Sequence, residues 1–283
     1  MPPQPLPLTL APDAAIDLQL HTTNSDGNWS AEQLLDYLAA EGFALVAVTD
    51  HDCLDTVAAV QELGARKGVP VLTATELSAA WEGQLFDLLC YGFDPQQNAL
   101  TTLAATTRRE QAEVICETYA ALQRYGYRFP EAHNVLKEGA GTPRHFGDLV
   151  ELLQRHGYAA EMRAALGAAG FRWVTADPAA VVEAAHRSDA VCLIAHPGRG
   201  DGFVRFDTPQ LDRLRAAMPI DGLEVEHPSH TPEQVSLFRD YAREYDWLTS
   251  TGSDSHGPPG PLPIKYRAED SRQLLAGMGI DIR

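Results

Sequence analysis

Short apolar runs alternate with longer amphipathic stretches along most of this chain. Seven runs rich in Val, Ile, Leu and Thr have the length and composition of buried parallel strands. They span residues 16–21, 44–49, 70–76, 85–92, 190–196, 222–227 and 247–251. Between several of them lie helix signals, so the pattern predicts strands joined by helices.

Three helix starts are marked by capping residues. Ser30 and Gln33 have the spacing of a capping box ahead of a leucine-rich stretch. Asp177 and Thr231 each precede a proline, which is favoured at the first helical position. Seven strands alternating with helices indicate an α/β fold, namely a TIM-like barrel with fewer than eight strands.

The alternation stops between residues 96 and 176, which are rich in Ala, Glu and Arg. Helices are expected there over residues 100–125, 146–155 and 160–168, and we interpret the stretch as a helical insertion that caps the active site. The barrel then comprises residues 15–95 and 177–283. Residues 1–14 are Pro-rich and are expected to form a flexible leader.

Composition narrows the class of protein. The chain has 283 residues, 45% of them hydrophobic and 22% charged, as in ordinary soluble globular proteins. The first residues lack the features of a signal peptide and no apolar run is long enough for a bilayer, so we expect a cytoplasmic protein without a membrane partner. The net charge of −17 argues against binding long nucleic acids. Four widely spaced cysteines argue against a disulfide framework or a zinc ribbon.

Imidazole and carboxylate side chains recur where the predicted strands end. Three of them end strands and four lie in the turns just beyond: His21, Glu76 and His196, then Asp26, His51, Asp254 and His256. In a barrel of this kind the carboxyl ends of the strands form one rim, so all seven are expected to meet there. Seven such side chains at one rim favour two or three divalent ions that share bridging carboxylates.

Other polar residues near these positions are candidates to contact a ligand over the metals. They are Arg199, directly after His196, then His227, Ser229 and His230 after the sixth run, and Arg144 and His145 in the insertion. Arg199 is the best candidate to bind an anionic group, because a guanidinium presents its N–H groups in a planar fork. Asp50 and Asp52 flank His51 and are candidates to orient the imidazole rings.

The strand-end motifs resemble those of the polymerase and histidinol phosphatase (PHP) family of metal-dependent phosphoesterases. They are Asp-Leu-Gln-Leu-His-Thr with Ser-Asp-Gly, Val-Thr-Asp-His-Asp, Thr-Glu-Leu-Ser, Ile-Ala-His-Pro-Gly-Arg and Gly-Ser-Asp-Ser-His-Gly. The resemblance implies a distorted seven-stranded (β/α) barrel with three divalent ions. The inserted helices resemble those of the subgroup that acts on nucleoside 3′,5′-bisphosphates and short oligonucleotides.

The resemblance also implies a ligand set and a reaction. One ion would be held by Asp26, His51 and His256, a second by His21, Glu76 and Asp254, and a third by Glu76 and His196. A hydroxide bridging two ions would then hydrolyse a phosphate ester of a small phosphorylated substrate such as a nucleotide.

Two residues depart from the family pattern. Gln19 stands where the opening motif has a first histidine, and Asp87 stands where the fourth strand supplies a histidine. Both are therefore doubtful ligands, and Mn, Fe and Zn remain alternatives for the metal. Two other functions stay open: a metal-dependent amidohydrolase, and a relative that binds metal or phosphate without catalysis. The oligomeric state is not predicted.

Overall fold

The computed structural model describes residues 8–130, 132, 145–200 and 202–283. These residues form two compact units. The first is made of residues up to Ala104 together with Ala176–Arg283, and the second of Ala105–Thr175. The predicted insertion, residues 96–176, contains the whole second unit and extends beyond it at both ends. Its predicted role as a cap over the active site remains a prediction.

The strands all belong to the first unit. They are β1 (Thr9–Leu10), β2 (Ala15–Leu20), β3 (Leu45–Val48), β4 (Val71–Leu72), β5 (Ala74–Trp81), β6 (Gln84–Tyr91), β7 (Val191–Ile194), β8 (Gly222–Glu226), β9 (Leu248–Thr251), β10 (Tyr266–Arg267) and β11 (Asp281–Ile282). Each of the seven predicted runs overlaps at least one strand. The expectation of a flexible leader over residues 1–14 does not hold for its last part, because β1 pairs with β11 there.

The helices follow the amphipathic stretches. They are α1 (Ala31–Glu41), α2 (Val57–Lys67), α3 (Leu100–Arg124), α4 (Phe146–Arg155), α5 (Met162–Ala168), α6 (Pro178–His186), α7 (Thr208–Ala217), α8 (Pro232–Glu244) and α9 (Arg272–Gly277). The three predicted caps are present: Ser30, Asp177 and Thr231 each accept a hydrogen bond from a backbone N–H of the first turn.

One expectation about the sheet is wrong, because the strands are not all parallel. β2, β3 and β4 run parallel to one another, as do β7, β8 and β9. β6 is antiparallel to both of its neighbours, β5 and β7. The cause is a two-residue turn between β5 and β6: Glu82 and Gly83 both have positive φ, at 51° and 79°, which closes a tight hairpin.

The described strands form open sheets and not one continuous barrel. Four strands pair in the order β10-β2-β3-β4 and five in the order β5-β6-β7-β8-β9. Single bridges join the two sheets, one between His51 and Glu76 and one between Leu20 and Ser255. The fold class is therefore mixed α/β, while the closed seven-stranded form remains a prediction. Leu20 ends β2 and Ser255 follows β9, whereas Glu76 lies inside β5 beside the loop that follows β3, so the two bridges bring these segments together.

Each unit has its own apolar core. In the first unit, alternate strand residues such as Leu18, Leu77 and Ile194 are fully buried. In the second unit, α4 buries Leu149, Leu152 and Leu153 at helical spacing. No helix in the described part of the chain is both long enough and apolar enough to cross a bilayer.

Candidate metal centre

The strand-end residues of the first unit converge. Three groups of side chains each place one ligand atom per residue within 4.8 Å of the others. The groups are His21, Asp26, His51 and His256; then His21, Glu76 and Asp254; then His51, Glu76 and Asp87. The first group contains the three residues expected for one ion, and the second group matches the set expected for another. The third differs from the expected pair of Glu76 and His196, because it contains His51 and Asp87 and does not contain His196.

His21 lies at the centre of the cluster. It follows β2, and its backbone N–H donates to the carbonyl of Ser255, which ties the end of β2 to the loop after β9. Its Nε2 lies 3.0 Å from Asp254 Oδ1 and 3.1 Å from Glu76 Oε2. Its Nδ1 lies 3.8 Å from Asp26 Oδ1. Both ring nitrogens are buried, and neither has a well-oriented hydrogen-bond partner among the described residues. The ring thus faces carboxylates on two sides, as a metal ligand does.

Asp26 lies between two further imidazoles. Its Oδ2 lies 3.2 Å from His256 Nε2 and 4.0 Å from His51 Nε2. The rings of His51 and His256 flank the ring of His21, with centroids 4.7 Å and 4.3 Å away. Three nitrogens and a carboxylate around one point suit a divalent transition metal.

Glu76 connects the groups. It is fully buried in β5, and the bridge between His51 and Glu76 sets it beside the loop after β3. Its Oε1 lies 3.1 Å from His196 Nε2, while its Oε2 accepts a hydrogen bond of 2.9 Å from the amide of Gln19. The two carboxylate oxygens therefore face opposite parts of the cluster, as a bridging ligand requires.

Two buried acids that sequence reasoning did not single out support this arrangement. Glu224 in β8 accepts a hydrogen bond from the backbone N–H of His196. Asp17 in β2 accepts from the N–H groups of Ser253 and Ile264, which fixes the loop that carries Asp254. The signal in the sequence is a charged residue inside an otherwise apolar strand.

Asp50 also fixes a loop of the cluster through hydrogen bonds. One of its oxygens accepts from the backbone N–H of Thr22 and from the hydroxyl of Ser25, and the other accepts from the hydroxyl of Thr22, all at 2.7 Å. These contacts hold the loop between His21 and Asp26. Asp50 was expected to orient an imidazole ring, and instead it anchors this loop.

The backbone is strained near the centre. His196 and Asp254 have positive φ values of 28° and 53°, and Asp52, beside His51, has 47°. Residues other than glycine adopt this region at a cost, and they do so most often at functional sites.

Charge in the cluster is unevenly balanced. Burial alone raises the pKa of Glu76, but the imidazoles of His51, His196 and His21 hold that pKa well below its usual value. Burial raises the pKa of Asp87 well above its usual value, and the nearby carboxylates of Glu76 and Asp52 raise it further. The Asp87 side of the cluster therefore has more negative charge than its neighbours compensate, which a bound cation would correct.

The candidates for substrate contact occupy different positions. Arg199 lies at the edge of the cluster, with Nη1 3.4 Å from Asp254 Oδ2 and its guanidinium over the ring of Phe203. His227 Nε2 lies 3.9 Å from Asp254 Oδ2. Ser229 contacts His227 Nδ1 through both its backbone N–H and its hydroxyl.

His230 is engaged in the fold at both ring nitrogens. Nδ1 lies 2.8 Å from the carbonyl of Val225, and Nε2 accepts from the N–H of Gly198. The structure thus gives it a role in shaping the loop that carries Arg199. His145 belongs to the second unit, where its N–H donates to Asp148, and its substrate role stays a prediction. Arg144 lies outside the described residues.

The chain is similar in sequence to proteins named as a phosphatase and as exoribonucleases. No protein-family model matches the chain. The 3′,5′-nucleoside bisphosphate phosphatase of Chromobacterium violaceum is 29% identical over 260 residues, which cover 87% of this chain and 88% of that protein. The 5′-3′ exoribonuclease of Haemophilus influenzae is 26% identical over 257 residues, covering 88% and 92%.

The predicted resemblance to phosphoesterases is confirmed by the names of these relatives. The fold agrees: the structure of a candidate metal-dependent phosphoesterase from Bifidobacterium adolescentis superimposes with a TM-score of 0.78 over 99% of both chains, at 24% identity. The PHP-like motifs of this chain are also the segments that form the cluster.

The residues present fit divalent cations. The candidate ligand atoms are imidazole nitrogens and carboxylate oxygens, which bind first-row transition metals, manganese among them. Two of these ligand atoms, His51 Nδ1 and Asp87 Oδ2, are buried and have no hydrogen-bond partner in the described part of the molecule. Buried polar atoms in that state are costly unless a ligand satisfies them.

Proposed function

We propose that this chain hydrolyses phosphate esters of small nucleotide-like substrates, with two or three divalent ions as cofactors. The observation that carries the proposal is the set of three ligand groups that share His21, His51 and Glu76. Cations held by groups that have residues in common would lie close together, as two-metal catalysis of phosphoryl transfer requires. Relatives that are named for nucleotide and RNA substrates support the substrate class.

The ions, when bound, supply Lewis acidity and lower the pKa of water toward neutrality. Ligand roles follow the groups: Asp26, His51 and His256 on one side, and His21, Glu76 and Asp254 on the other. Glu76 connects the two sides.

Arg199 is suited to hold the substrate phosphate. Its guanidinium presents donors in a planar fork that matches phosphate oxygens. The ring of Phe203 lies 4.4 Å below the guanidinium carbon and limits its motion. The Arg199 side chain is 28% exposed, so it lies between the cluster and the solvent from which a substrate would enter.

His227 is suited to donate a hydrogen bond to a phosphoryl oxygen. Because the backbone N–H of Ser229 donates to Nδ1, the neutral ring carries its proton on Nε2. That atom is buried and has no hydrogen-bond partner in the described structure. A donor that is fixed in advance beside Asp254 is positioned to stabilise charge that develops on the phosphoryl group.

The test is an assay of purified protein that has been stripped of metal and then reloaded with Mn²⁺. Substrates are p-nitrophenyl phosphate, a nucleoside 3′,5′-bisphosphate, a 5′-phosphorylated oligoribonucleotide and an N-acyl amino acid. We expect phosphate release from nucleotide substrates, loss of activity on chelation, and a decrease of at least about a hundredfold in His51→Ala.

His186→Ala is the matched control, because His186 pairs with Asp221 away from the cluster and the variant should keep its activity. Hydrolysis of the amide substrate alone would favour an amidohydrolase. Phosphatase activity that survives both chelation and His51→Ala would contradict the proposal. Zero or one bound ion without turnover would indicate a binding protein.

A further inference from the structure

Two cysteines that are 102 residues apart in the chain lie side by side in the sheet. Cys90 in β6 and Cys192 in β7 are register partners, and their sulfur atoms lie 3.9 Å apart. Both side chains are fully buried, and neither belongs to the groups of the metal cluster. The wide spacing in the sequence gave no sign of this pair, because only the pairing of β6 with β7 brings the two thiols together.

The backbone beside the two thiols has the geometry that a disulfide needs. The N–H of Ala195 donates to the carbonyl of Asp87, which makes these two residues a hydrogen-bonded pair of the ladder. Such pairs alternate with non-hydrogen-bonded ones, so Cys90 and Cys192, three pairs further along, form a non-hydrogen-bonded pair. In agreement, the N–H of Cys192 donates away from β6, to Asp221 Oδ2. The Cα atoms of a non-hydrogen-bonded pair are about 4.5 Å apart, within the range of about 4.4–6.8 Å that disulfides span.

The surroundings keep the two thiols reduced until an oxidant enters this part of the core. The S–H of Cys90 donates to Cys192 Sγ. This hydrogen bond and burial raise the pKa of the Cys192 thiol well above its usual value, so that thiol stays protonated at neutral pH. Because the thiolate is the reactive form, oxidation here should be slower than at an exposed cysteine.

A cleft on the surface of the first unit gives a small oxidant a short way to β7. The cleft has a volume of about 470 Å³ and is lined by residues of α6 and by the end of α7. Val182 and Met218 line it and belong to the same apolar cluster as Cys192. His186 also lines it, and its Nε2 lies 2.9 Å from the Asp221 oxygen that accepts from the N–H of Cys192.

We propose that Cys90 and Cys192 are a modification site at which hydrogen peroxide forms a disulfide and a dithiol reductant reverses it. One sulfur attacks a peroxide oxygen and becomes a sulfenic acid, while the other peroxide oxygen leaves as water. The second sulfur then attacks the sulfenic sulfur, the S–S bond forms, and the sulfenic oxygen leaves as a second molecule of water. The two thiols thus lose two hydrogen atoms, and the peroxide is reduced to two molecules of water.

The disulfide would close a loop that contains the whole second unit. Residues 91–191 lie between the two cysteines, and they include Ala105–Thr175. A cross-link that closes a loop of about 100 residues strongly restricts the unfolded chain. We therefore expect the disulfide to stabilise the first unit, in which both cysteines lie.

The experiment counts thiols and maps the cross-link in the full chain. Fully reduced protein is treated with hydrogen peroxide, and the remaining thiols are alkylated after unfolding. Proteolytic peptides are then analysed by mass spectrometry without reductant. The variants are Cys90→Ala and Cys192→Ala, with Cys116→Ser as the matched control, because Cys116 lies in α3 of the second unit. Circular dichroism checks that each variant is folded.

Peroxide should lower the thiols of the wild type from four to two per chain. The peptides that carry Cys90 and Cys192 should be recovered joined and lighter by two hydrogen atoms. Cys116→Ser should form the same cross-link, and neither alanine variant should form it. The oxidised wild type should melt at least about 4 °C above the reduced form, and dithiothreitol should abolish the difference. If an alanine variant unfolds, the peptide map of the wild type still decides the matter.

Recovery of Cys90 and Cys192 as thiols after Cys116 has been oxidised would overturn the inference. So would a sulfinic acid at either position without a cross-link. A disulfide that forms without raising the melting temperature would overturn its stabilising role. Turnover of phosphate esters enters none of these measurements, so none of these outcomes bears on the proposed function.

Discussion

Removing the Asp50 carboxylate should both destabilise the first unit and weaken metal binding. Asp50 is 3% exposed, and it accepts three hydrogen bonds of 2.7 Å from Thr22 and Ser25. Asp50→Ala leaves one buried N–H and two hydroxyls without this acceptor, and it also removes a longer contact of 3.4 Å from the side-chain amide of Asn24. Since each unsatisfied buried donor costs about 1–3 kcal/mol and members of one network are not additive, the expected loss in the free energy of unfolding is about 3–5 kcal/mol.

Asp50→Asn provides a graded comparison. Its amide oxygen can keep two of the donors, and its NH₂ group can donate to the hydroxyl of Thr22. The charge is lost while most of the contacts remain, so the expected cost is about 1–2 kcal/mol. Asp240→Ala is the control: Asp240 is 64% exposed and pairs only across the surface of α8 with Arg243, so its loss should cost less than about 1 kcal/mol.

The assay is urea unfolding followed by circular dichroism, with chelator present so that bound metal does not mask the effect. A Mn²⁺ titration of the same variants follows. Because the anchored loop carries Asp26, the order of Mn²⁺ affinity should be wild type, Asp50→Asn, Asp50→Ala. If Asp50→Ala unfolded no earlier than Asp240→Ala, the loop would not depend on this carboxylate, and the structural reasoning would be refuted.

Three further predictions concern single positions. Burial and two neighbouring imidazoles lower the pKa of His230 from 6.5 to about 4. Between these pH values the unfolded chain binds a proton that the folded chain does not, so the free energy of unfolding should fall by about 2–3 kcal/mol as the pH drops from 6.5 to 4. Melting curves of His230→Gln should depend less on pH than those of the wild type. A Cβ on Gly252 would lie 2.4 Å from both Gln19 Cβ and Glu224 Oε1. Gly252→Ala should therefore lower the free energy of unfolding in urea by about 1–3 kcal/mol and reduce Mn²⁺ affinity. Unchanged Mn²⁺ binding would show that the position of Gln19 does not affect the metal centre. Gly83 has φ of 79° in the β5–β6 turn with open space around it, so Gly83→Ala should cost about 1 kcal/mol without altering metal binding.

The positions of the strands and of most cluster residues followed from local rules. Apolar runs indicated where strands lie, because buried strands need continuous apolar side chains. Since strand ends share a rim, the motifs after each run predicted which side chains would meet. The predicted caps at Ser30 and Thr231 were equally local and are present.

The direction of β6 did not follow from these rules. A run of apolar residues looks the same in parallel and antiparallel strands, and β5 extends five residues beyond the predicted end at Glu76. That extension alternates buried Leu77 and Ala79 with half-buried Ser78 and Ala80, a pattern that indicates a strand. Recognising it would have left Glu82 and Gly83 as a hairpin turn.

Within the site too, some residues followed from local patterns and others did not. Terminal motifs indicated His21 and Asp254, whereas Glu224 was missed because it lies inside a strand whose neighbours are apolar. Asp87 was in doubt because family motifs describe residue types, while its place in the cluster depends on register: β6 pairs with β5, and Asp87 lies opposite Ser78. Pairing between distant segments is the information that local patterns lack.

Crystals of the full chain grown with Mn²⁺ and measured at the manganese absorption edge test most directly whether side chains distant in sequence bind several cations in one cluster. We expect at least two anomalous peaks, one among Asp26, His51 and His256 and one between Glu76 and Asp254, with a further peak beside Asp87. Crystals of active protein with no anomalous density at these residues would contradict it.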